Sequence, residues 1–412
     1  MQNTITSMQN TITSVQKTLL DFCVEVLFDK RVGSFENVDF AKVAEYAYEQ
    51  TVLTVVSPAL KRTSTFDVFS DKRFMCQIIK NARVCCAHEE IHNILSENDV
   101  EYVVLKGIAS ATYYKQPALR TMGDVDLLVK QSDLKKCDEL LAGLDYTRLD
   151  ELDTSKGHIR YRKEDGKNWI ICEVHRCVNG VPSNLTNITD QYFNDIFERS
   201  LLFEAPNSTC TIPSEFHHGL ILLLHTASHL TSEGIGLRHL CDWAVFVNSL
   251  SNDEFVELFE KPLKEMGLWR FAQLLTLCCV RYLGCDRKDW TGEADDKLLE
   301  AIVADILDGG NFGFKDDDRY RQIKYIKNRN DKTVDGKKSL FQVFYTINSK
   351  AKSECTFVKK HRWLLPIGWV AVVFNYIWLV LSRKRKPDSF STIDKANARK
   401  KIYSEFHLYK PE

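Results

Sequence analysis

The chain has no excess of charge of either sign. Its 55 Lys and Arg against 56 Asp and Glu leave a formal net charge of −1, which argues against a large nucleic-acid surface built on surplus basic residues. It also has no Cys-x-x-Cys. The 13 cysteines are odd in number and scattered, with adjacent pairs such as Cys85-Cys86 and Cys278-Cys279. That usage fits reduced thiols in a cytoplasm rather than a disulfide framework. The first fifteen residues are largely polar, so no secretory signal is expected. What 412 residues do allow is about two or three domains and a sizeable core.

The most informative stretch is Tyr102–Val129, YVVLKGIASATYYKQPALRTMGDVDLLV. The apolar run Tyr102 to Leu105 predicts a buried strand, ended by Lys106-Gly107 in a turn where backbone approaches a neighbour closely. A short helix over Ile108 to Lys115 is stopped by Pro117. Asp124 to Val129 predicts a second strand, and its alternation puts Asp124 and Asp126 on one face. Two carboxylates so placed repel each other unless a divalent cation lies between them. The expected ion is Mg²⁺ or Mn²⁺, completed by water and substrate phosphates. A lone Asp-x-Asp reads equally well as a solvated turn; here Leu127-Leu128-Val129 follows at once and makes it a strand entrance.

A hairpin is expected further on, from His158–Lys163 and Trp169–His175 joined through Asp165-Gly166. In its second strand Trp169, Ile171, Glu173 and His175 share a face. An acid on an otherwise apolar strand is costly without a partner, which makes Glu173 the candidate third carboxylate; the competing reading is an exposed residue on an edge strand.

Strand, glycine turn, helix and Asp-x-Asp on a neighbouring strand resemble the core of the nucleotidyltransferase superfamily with the DNA polymerase β-like fold. Within it, LKG followed by RTMGDVDLLV is similar to the bacterial nucleotidyltransferase family described as uncharacterised, whose members read LKG and then R-x-x-x-D-x-D-L-L-V. The resemblance is densest at 103–129, 169–176 and 236–247. Two departures stand out. Gly107-Ile108 replaces the usual Gly-Ser or Gly-Gly, leaving Lys106 or Arg120 to supply charge to phosphates, and EVH at Glu173–His175 replaces Asp-x-His.

The resemblance implies transfer of a nucleoside monophosphate from an NTP to a hydroxyl-bearing acceptor, with release of pyrophosphate. Asp124 and Asp126 would bridge two metal ions, and Glu173 would complete the acceptor-side ion and take the hydroxyl proton. Lys106, Gly107 and Arg120 would line the nucleotide phosphates, with His175, Arg238 and Asp242 as further substrate contacts. The alternative is a catalytically idle member that binds or scaffolds. The implied fold class is α+β: a polymerase β-like core, a mixed sheet with helices, between an N-terminal helical region and a C-terminal helical domain.

Five segments follow. Residues 1–14, MQNTITS twice, are expected to be disordered. Residues 15–99 form a helical region, with helices from Val15, from Asp39 to Ser57 ended by Pro58, and from Arg73 to Asn98. Residues 100–212 carry the catalytic core, including a helix capped by Ser132 and running to Gly143. Residues 213–358 are helical again, opened by Pro213. There His225 and His229 have the spacing of a zinc pair but no third ligand in the sequence, which leaves packing or a substrate contact as the expectation. Arg238 and Asp242 stand one turn apart, as an ion pair or facing the cleft. The basic stretch Tyr320 to Lys338 reads as solvated.

Residues 359–412 are a basic-flanked apolar helix and tail. Trp363 to Ser382 is twenty residues without formal charge, interrupted by Pro366, Gly368 and Asn375. Its length suits a membrane helix. Its basic clusters, Lys359-Lys360-His361-Arg362 and Arg383-Lys384-Arg385-Lys386, suit lying on the anionic inner face of a membrane better than crossing it. Packing of Leu364, Leu365, Ile367 and Val370 on the protein is the competing account.

Overall fold

A computed structural model describes residues 12–30, 33, 35, 37–63, 66–150, 157–166, 168–178, 185–310, 347–348, 350–352, 355–381 and 399–411. The expectations for residues 1–11 and for the basic stretches 320–338 and 383–386 lie outside them. The chain divides into two compact units, Met1–Tyr320 with Ala398–Glu412, and Arg321–Asn397.

The first unit is built on a five-stranded mixed sheet in the order β1-β2-β5-β4-β3, where β1 is Tyr102–Val104, β2 Val125–Val129, β3 Thr147–Arg148, β4 His158–Asp165 and β5 Asn168–His175. β2 pairs parallel with β5 and antiparallel with β1, and β4 pairs antiparallel with β5 and β3. The turn between β4 and β5 is the expected one, with Gly166 at φ +63°. Every residue of β2 is buried, as befits a strand covered on both faces.

Alternation sorts those faces. Val125, Leu127, Cys172 and Val174 join Val84, Ile91 and Leu95 of helix α4 (Lys72–Glu97) and Leu134, Cys137 and Leu141 of helix α6 (Leu134–Gly143) in one core. Asp126, Leu128, Glu173 and His175 therefore belong to the opposite face, where Leu128 meets Ile221 of helix α8 (Glu215–Ser232). Helix α7 (Thr186–Phe193) and a small hairpin, β6 (Leu201–Phe203) with β7 (Cys210–Ile212), were not evident from the sequence.

The N-terminal helices do not form a body of their own. Helices α1 (Ser14–Phe28), α2 (Phe40–Glu49) and α3 (Leu53–Thr63) bury Leu19, Phe22, Val43, Val56 and Leu60 in one apolar core with α8, α9 (Leu237–Ser249), α10 (Asn252–Glu265), α11 (Trp269–Leu283) and α12 (Asp296–Gly309). α1 starts at a capping box in which Thr13 and Gln16 bond each other's backbone N–H groups.

The helix expected from Asp39 to Ser57 is two helices. The chain turns at Gln50–Val52, where Thr51 has φ +57°, and Pro58 lies inside α3 rather than ending a helix. Proline there cannot donate to the Thr54 carbonyl, and the Ser57 hydroxyl donates to it instead at 2.7 Å. The helix expected over Ile108–Lys115 is shortened to α5 (Ile108–Ala111), followed by turns and a 3₁₀ segment at Pro117–Leu119.

Gly219 of α8 shows how tightly the helical core is filled. A Cβ there would lie 2.6 Å from the Phe259 ring and 2.7 Å from that of Phe246. Gly219→Ala is therefore expected to destabilise the protein by about 1–3 kcal/mol through overpacking, even though alanine favours helix by about 1 kcal/mol. A urea titration reads the result, and an unchanged or raised midpoint would show that the rings give way freely.

In the second unit, helix α14 (Leu365–Leu381) follows helix α13 (Thr356–Lys360) and a 3₁₀ turn. Gly368 is the close-packing point of α14, since a Cβ on it would meet Val358 Cγ2 at 2.7 Å and Ala351 Cβ at 3.1 Å. Among the described residues no helix is long and apolar enough to cross a membrane. The 17 residues of α14 reach about 25 Å, against a hydrocarbon core of about 30 Å.

Candidate functional site

Parallel pairing of β2 with β5 sets Asp126 directly beside Glu173, with Leu128 beside His175 two residues on. The two acids thus project from neighbouring strands on the same face, and His175 follows Glu173 on that face. One ligand atom from each of Asp126, Glu173 and His175 lies within 4.8 Å of the others. His175 Nε2 is 3.1 Å from Asp126 Oδ1 and 3.6 Å from Glu173 Oε2.

The turn after β1 completes the cluster. The Leu105 N–H donates to the Asp126 carbonyl at 3.0 Å, which ties the turn to β2 and brings Lys106 Nζ to 2.9 Å from Asp126 Oδ1. Gly107 has φ +66° and ψ −106°, a backbone conformation that residues with a Cβ rarely adopt. Its neighbour is the Asp124 carbonyl, 3.8 Å from where a Cβ would stand, an ordinary contact. The glycine is thus required by its dihedral rather than by close approach.

Asp124 stands apart from this arrangement. It precedes β2 instead of starting it, and the residue is exposed at the rim. Protein packed around its carboxyl, together with the Asp126 charge, nonetheless raises its pKa. The sequence missed His158: in the β4–β5 register it lies opposite His175, with ring centroids 5.2 Å apart and its Nε2 4.0 Å from Glu173 Oε2. Counting back from the Asp165–Asn168 pair at the turn would have found it.

The charges are balanced within the cluster. Burial would raise the Asp126 pKa, but Lys106 and His175 outweigh it and hold the carboxyl well below the usual range. Glu173 is lowered, first by the neighbouring His175 imidazole. Burial works to lower His175, and the two carboxylates overcome it, so its pKa is raised from 6.5.

A raised folded-state pKa means that the imidazolium's stabilisation is complete below the unfolded value and disappears as pH rises through the folded one. The metal-free protein is therefore expected to lose melting temperature as pH rises above 6.5, and any affinity for Mn²⁺ to increase over the same range, because proton and metal would compete for His175. Melting curves and metal titrations from pH 6 to 9 read both; a His175→Gln variant with the same profile as the wild type would assign the effect elsewhere.

Arg120, Arg238 and Asp242 belong to a second group. Arg120 is buried and holds Asp242 through two nitrogens, Nη2 to Oδ2 at 2.6 Å and Nε to Oδ1 at 3.1 Å. Tyr114 donates to the same carboxylate at 2.7 Å. Arg120, which the sequence offered to the phosphates, is thus directed onto α9, and Asp242 accepts from Arg120 and Tyr114. Arg238, also on α9, reaches toward the Thr121 carbonyl at 3.5 Å.

The loop between α5 and β2 is further held by Asn81 of α4. Its Nδ2 donates to the Ala118 and Arg120 carbonyls at 3.0 and 3.1 Å, and its Oδ1 accepts from the Met122 N–H at 2.9 Å. Nothing local in the sequence marks Asn81 or Tyr114.

The donor set suits a cation of the Mg²⁺ or Mn²⁺ kind: two carboxylates in register, with an imidazole that favours Mn²⁺ over Mg²⁺. A mixed five-stranded sheet carrying paired acids beside a glycine turn is consistent with an α+β nucleotidyltransferase. Residues 36–284, more than half of the chain, match the family described as uncharacterised nucleotidyltransferase, and the chain belongs to that family. No curated protein and no solved structure matches it. Membership supports a transferase and implies an NTP as substrate.

Proposed function

We propose that this protein is a polymerase β-like nucleotidyltransferase that moves a nucleoside monophosphate from an NTP to a hydroxyl-bearing acceptor and releases pyrophosphate. The observation that carries the reading is the register Asp126–Glu173 on adjacent parallel strands, with His175 close enough to share one ion. Asp126, Glu173 and His175 would hold Mg²⁺ or Mn²⁺, with Asp124 at the rim as a further ligand. Such an ion supplies charge neutralisation at the phosphates and a more acidic acceptor hydroxyl. Glu173, the more accessible of the two cluster acids at 22% side-chain exposure against 9%, accepts the hydroxyl proton. Lys106, a quarter exposed, is free to exchange Asp126 for phosphate oxygens when that carboxylate is otherwise neutralised.

One observation favours the reading of an idle, binding-only member. Lys106 and His175 already compensate Asp126, so the acids do not require a metal to coexist. Melting curves with Mg²⁺ or Mn²⁺ and each NTP, followed by an assay for pyrophosphate release, separate the two. A ligand at 100 times its Kd stabilises by about 2.7 kcal/mol, a shift of several degrees. Stabilisation without release in the presence of varied hydroxyl acceptors identifies the idle protein, and no shift with any pair removes nucleotide binding altogether.

A membrane-surface location is part of the proposal. Trp363 of the 3₁₀ turn and Ile367, Val370, Phe374 and Trp378 of α14 are exposed, and the spacing of the last four, three and then four and four, places them along one face of the helix. With basic clusters before and after in the sequence, such a face suits the headgroup region of an anionic bilayer, where a membrane-borne acceptor would be met. The full chain is expected to sediment with anionic lipid vesicles and a Trp363→Ser, Phe374→Ser, Trp378→Ser variant to stay in solution. Equal sedimentation of both would remove this role from α14.

A further inference from the structure

The sheet face that carries the acids extends well past them. β4 and β5 pair without interruption from His158 opposite His175 to Asp165 opposite Asn168. Trp169, Ile171 and Glu173 of β5 therefore share a face with Glu164, Arg162 and Arg160, which stand directly opposite them on β4. The other face of this hairpin is covered. Ile159, Tyr161, Cys172 and Val174 lie in the core with α4 and α6, and α4 also holds the strands through Arg83 to Asp165 at 3.0 Å and Glu90 to Lys163 at 2.7 Å. The acid-bearing face opens along β5: His175 is buried, Glu173 and Ile171 are half-buried, and Trp169 is 62% exposed. An exposed tryptophan alone means little. This one stands on a firmly held strand, on the same face as Glu173, with Ile171 between them.

Strand order gives the two substrates opposite sides of the acids. In the order β1-β2-β5-β4-β3 the Lys106-Gly107 turn, proposed for the phosphates, follows β1, Asp126 lies on β2, and Glu173, proposed to take the hydroxyl proton, lies on β5. The acceptor is then met from the β4 and β3 side. There Arg160 stands beside Glu173, and Leu149, whose N–H donates to the Arg160 carbonyl at 2.8 Å, is 44% exposed.

The arginines do not make this side cationic. Arg160 Nε is 2.9 Å from Asp150 Oδ2 and its Nη2 3.0 Å from Oδ1, while Arg162 Nη2 is 3.5 Å from Glu164 Oε1. Each guanidinium faces a carboxylate, so an anionic acceptor finds no surplus charge. Donors and acceptors nonetheless remain on the side chains for hydroxyl groups. An exposed indole and apolar neighbours, edged by such groups, suit a ring with apolar C–H faces and a hydroxyl rim, which is the chemistry of a sugar. Trp169 is four residues from Glu173 on β5, about 13 Å along the strand, a span longer than one sugar ring.

We infer that the face made by Trp169, Ile171, Arg162 and Glu164 binds the acceptor, an uncharged carbohydrate of at least two rings, an inference that rests on the nucleotidyl-transfer reading. One ring stacks on Trp169 and a hydroxyl of another reaches Glu173. In the transfer that hydroxyl oxygen bonds to the α-phosphorus and the bond from the phosphorus to the bridging oxygen breaks. Its electron pair leaves on pyrophosphate, and the hydroxyl proton goes to Glu173.

The test is binding of the full chain, without nucleotide or metal, to an array of neutral, sialylated and phosphorylated glycans of varied length, followed by calorimetry with the glycan held best. Neutral glycans of two or more rings are expected to be retained. Trp169→Ser is expected to bind at least about tenfold more weakly, while Trp169→Tyr, which keeps an aromatic face, stays close to wild type. Since Trp169 is exposed, the serine variant should fold, with its urea midpoint near that of wild type. On the unaltered protein, saturation-transfer NMR is expected to mark the C–H protons of the stacked ring. No glycan retained, a preference for the sialylated or phosphorylated ones, or equal affinity of wild type and Trp169→Ser would each overturn the inference. Glycan binding without transfer from any NTP would overturn the nucleotidyl reading, and with it the acceptor role. Transfer to a protein or a nucleoside at equal rates in wild type and Trp169→Ser would overturn this inference alone.

Discussion

Asp126→Asn is expected to lower nucleotidyl transfer by on the order of 10³-fold or more, since a metal-bridging carboxylate contributes several kcal/mol and each ~1.4 kcal/mol is tenfold. Asp126 is the centre of the cluster: it lies beside Glu173 in the sheet and within 3.1 Å of both Lys106 Nζ and His175 Nε2. The fold should survive. Lys106 keeps access to water and Glu173 Oε2 remains 3.6 Å from His175, so neither cation is left buried and alone. Asparagine keeps the size and one carbonyl oxygen but removes the charge on which the proposed cation binding would depend, and the Mn²⁺-dependent melting shift should vanish together with turnover. A variant that still turned over NTP at the wild-type rate would remove the metal role from this residue.

The largest effect on stability is expected at the Arg120–Asp242 pair. Both side chains are about 6% exposed, and each is the other's main compensation; Arg120→Ala would leave Asp242 with only Tyr114 and the Arg238 charge. Removal of one partner of a buried ion pair typically costs about 3–5 kcal/mol, whereas removing both often costs less. The double variant Arg120→Met, Asp242→Leu should accordingly be more stable than Arg120→Ala.

The pair also makes an acid-sensitivity claim. Burial alone would raise Asp242, but Arg120 outweighs it and the pKa is lowered from 3.8. Its stabilisation is therefore present above the unfolded value and lost as pH falls toward the folded one. Chemical denaturation at pH 7 and at pH 3 measures both effects; a loss below about 1 kcal/mol for Arg120→Ala would place the pair among those that contribute little.

Some of this was legible in the sequence for a physical reason. Side-chain alternation in a strand and the dihedral demand of a turn are local, so the strands around Asp126 and Glu173, the Asp165-Gly166 turn and the long helix before Tyr102 were readable from the residues themselves. Local rules also misled where a local substitute existed, as at Pro58, whose missing N–H is replaced by the Ser57 hydroxyl.

The partnerships depend on pairing between distant segments, which no local period records. Parallel pairing of β2 with β5 made Asp126 and Glu173 neighbours and left Asp124 at the rim. A contact across 122 residues turned Arg120 from the phosphates to Asp242. The Gly234 turn brought a third histidine, His239, to the pair His225 and His229, which the sequence showed as incomplete. Burial of apolar faces likewise joined α1–α3 to helices some two hundred residues later in one core, because a short amphipathic helix is stable only against another apolar surface, and which surface that is depends on the whole chain.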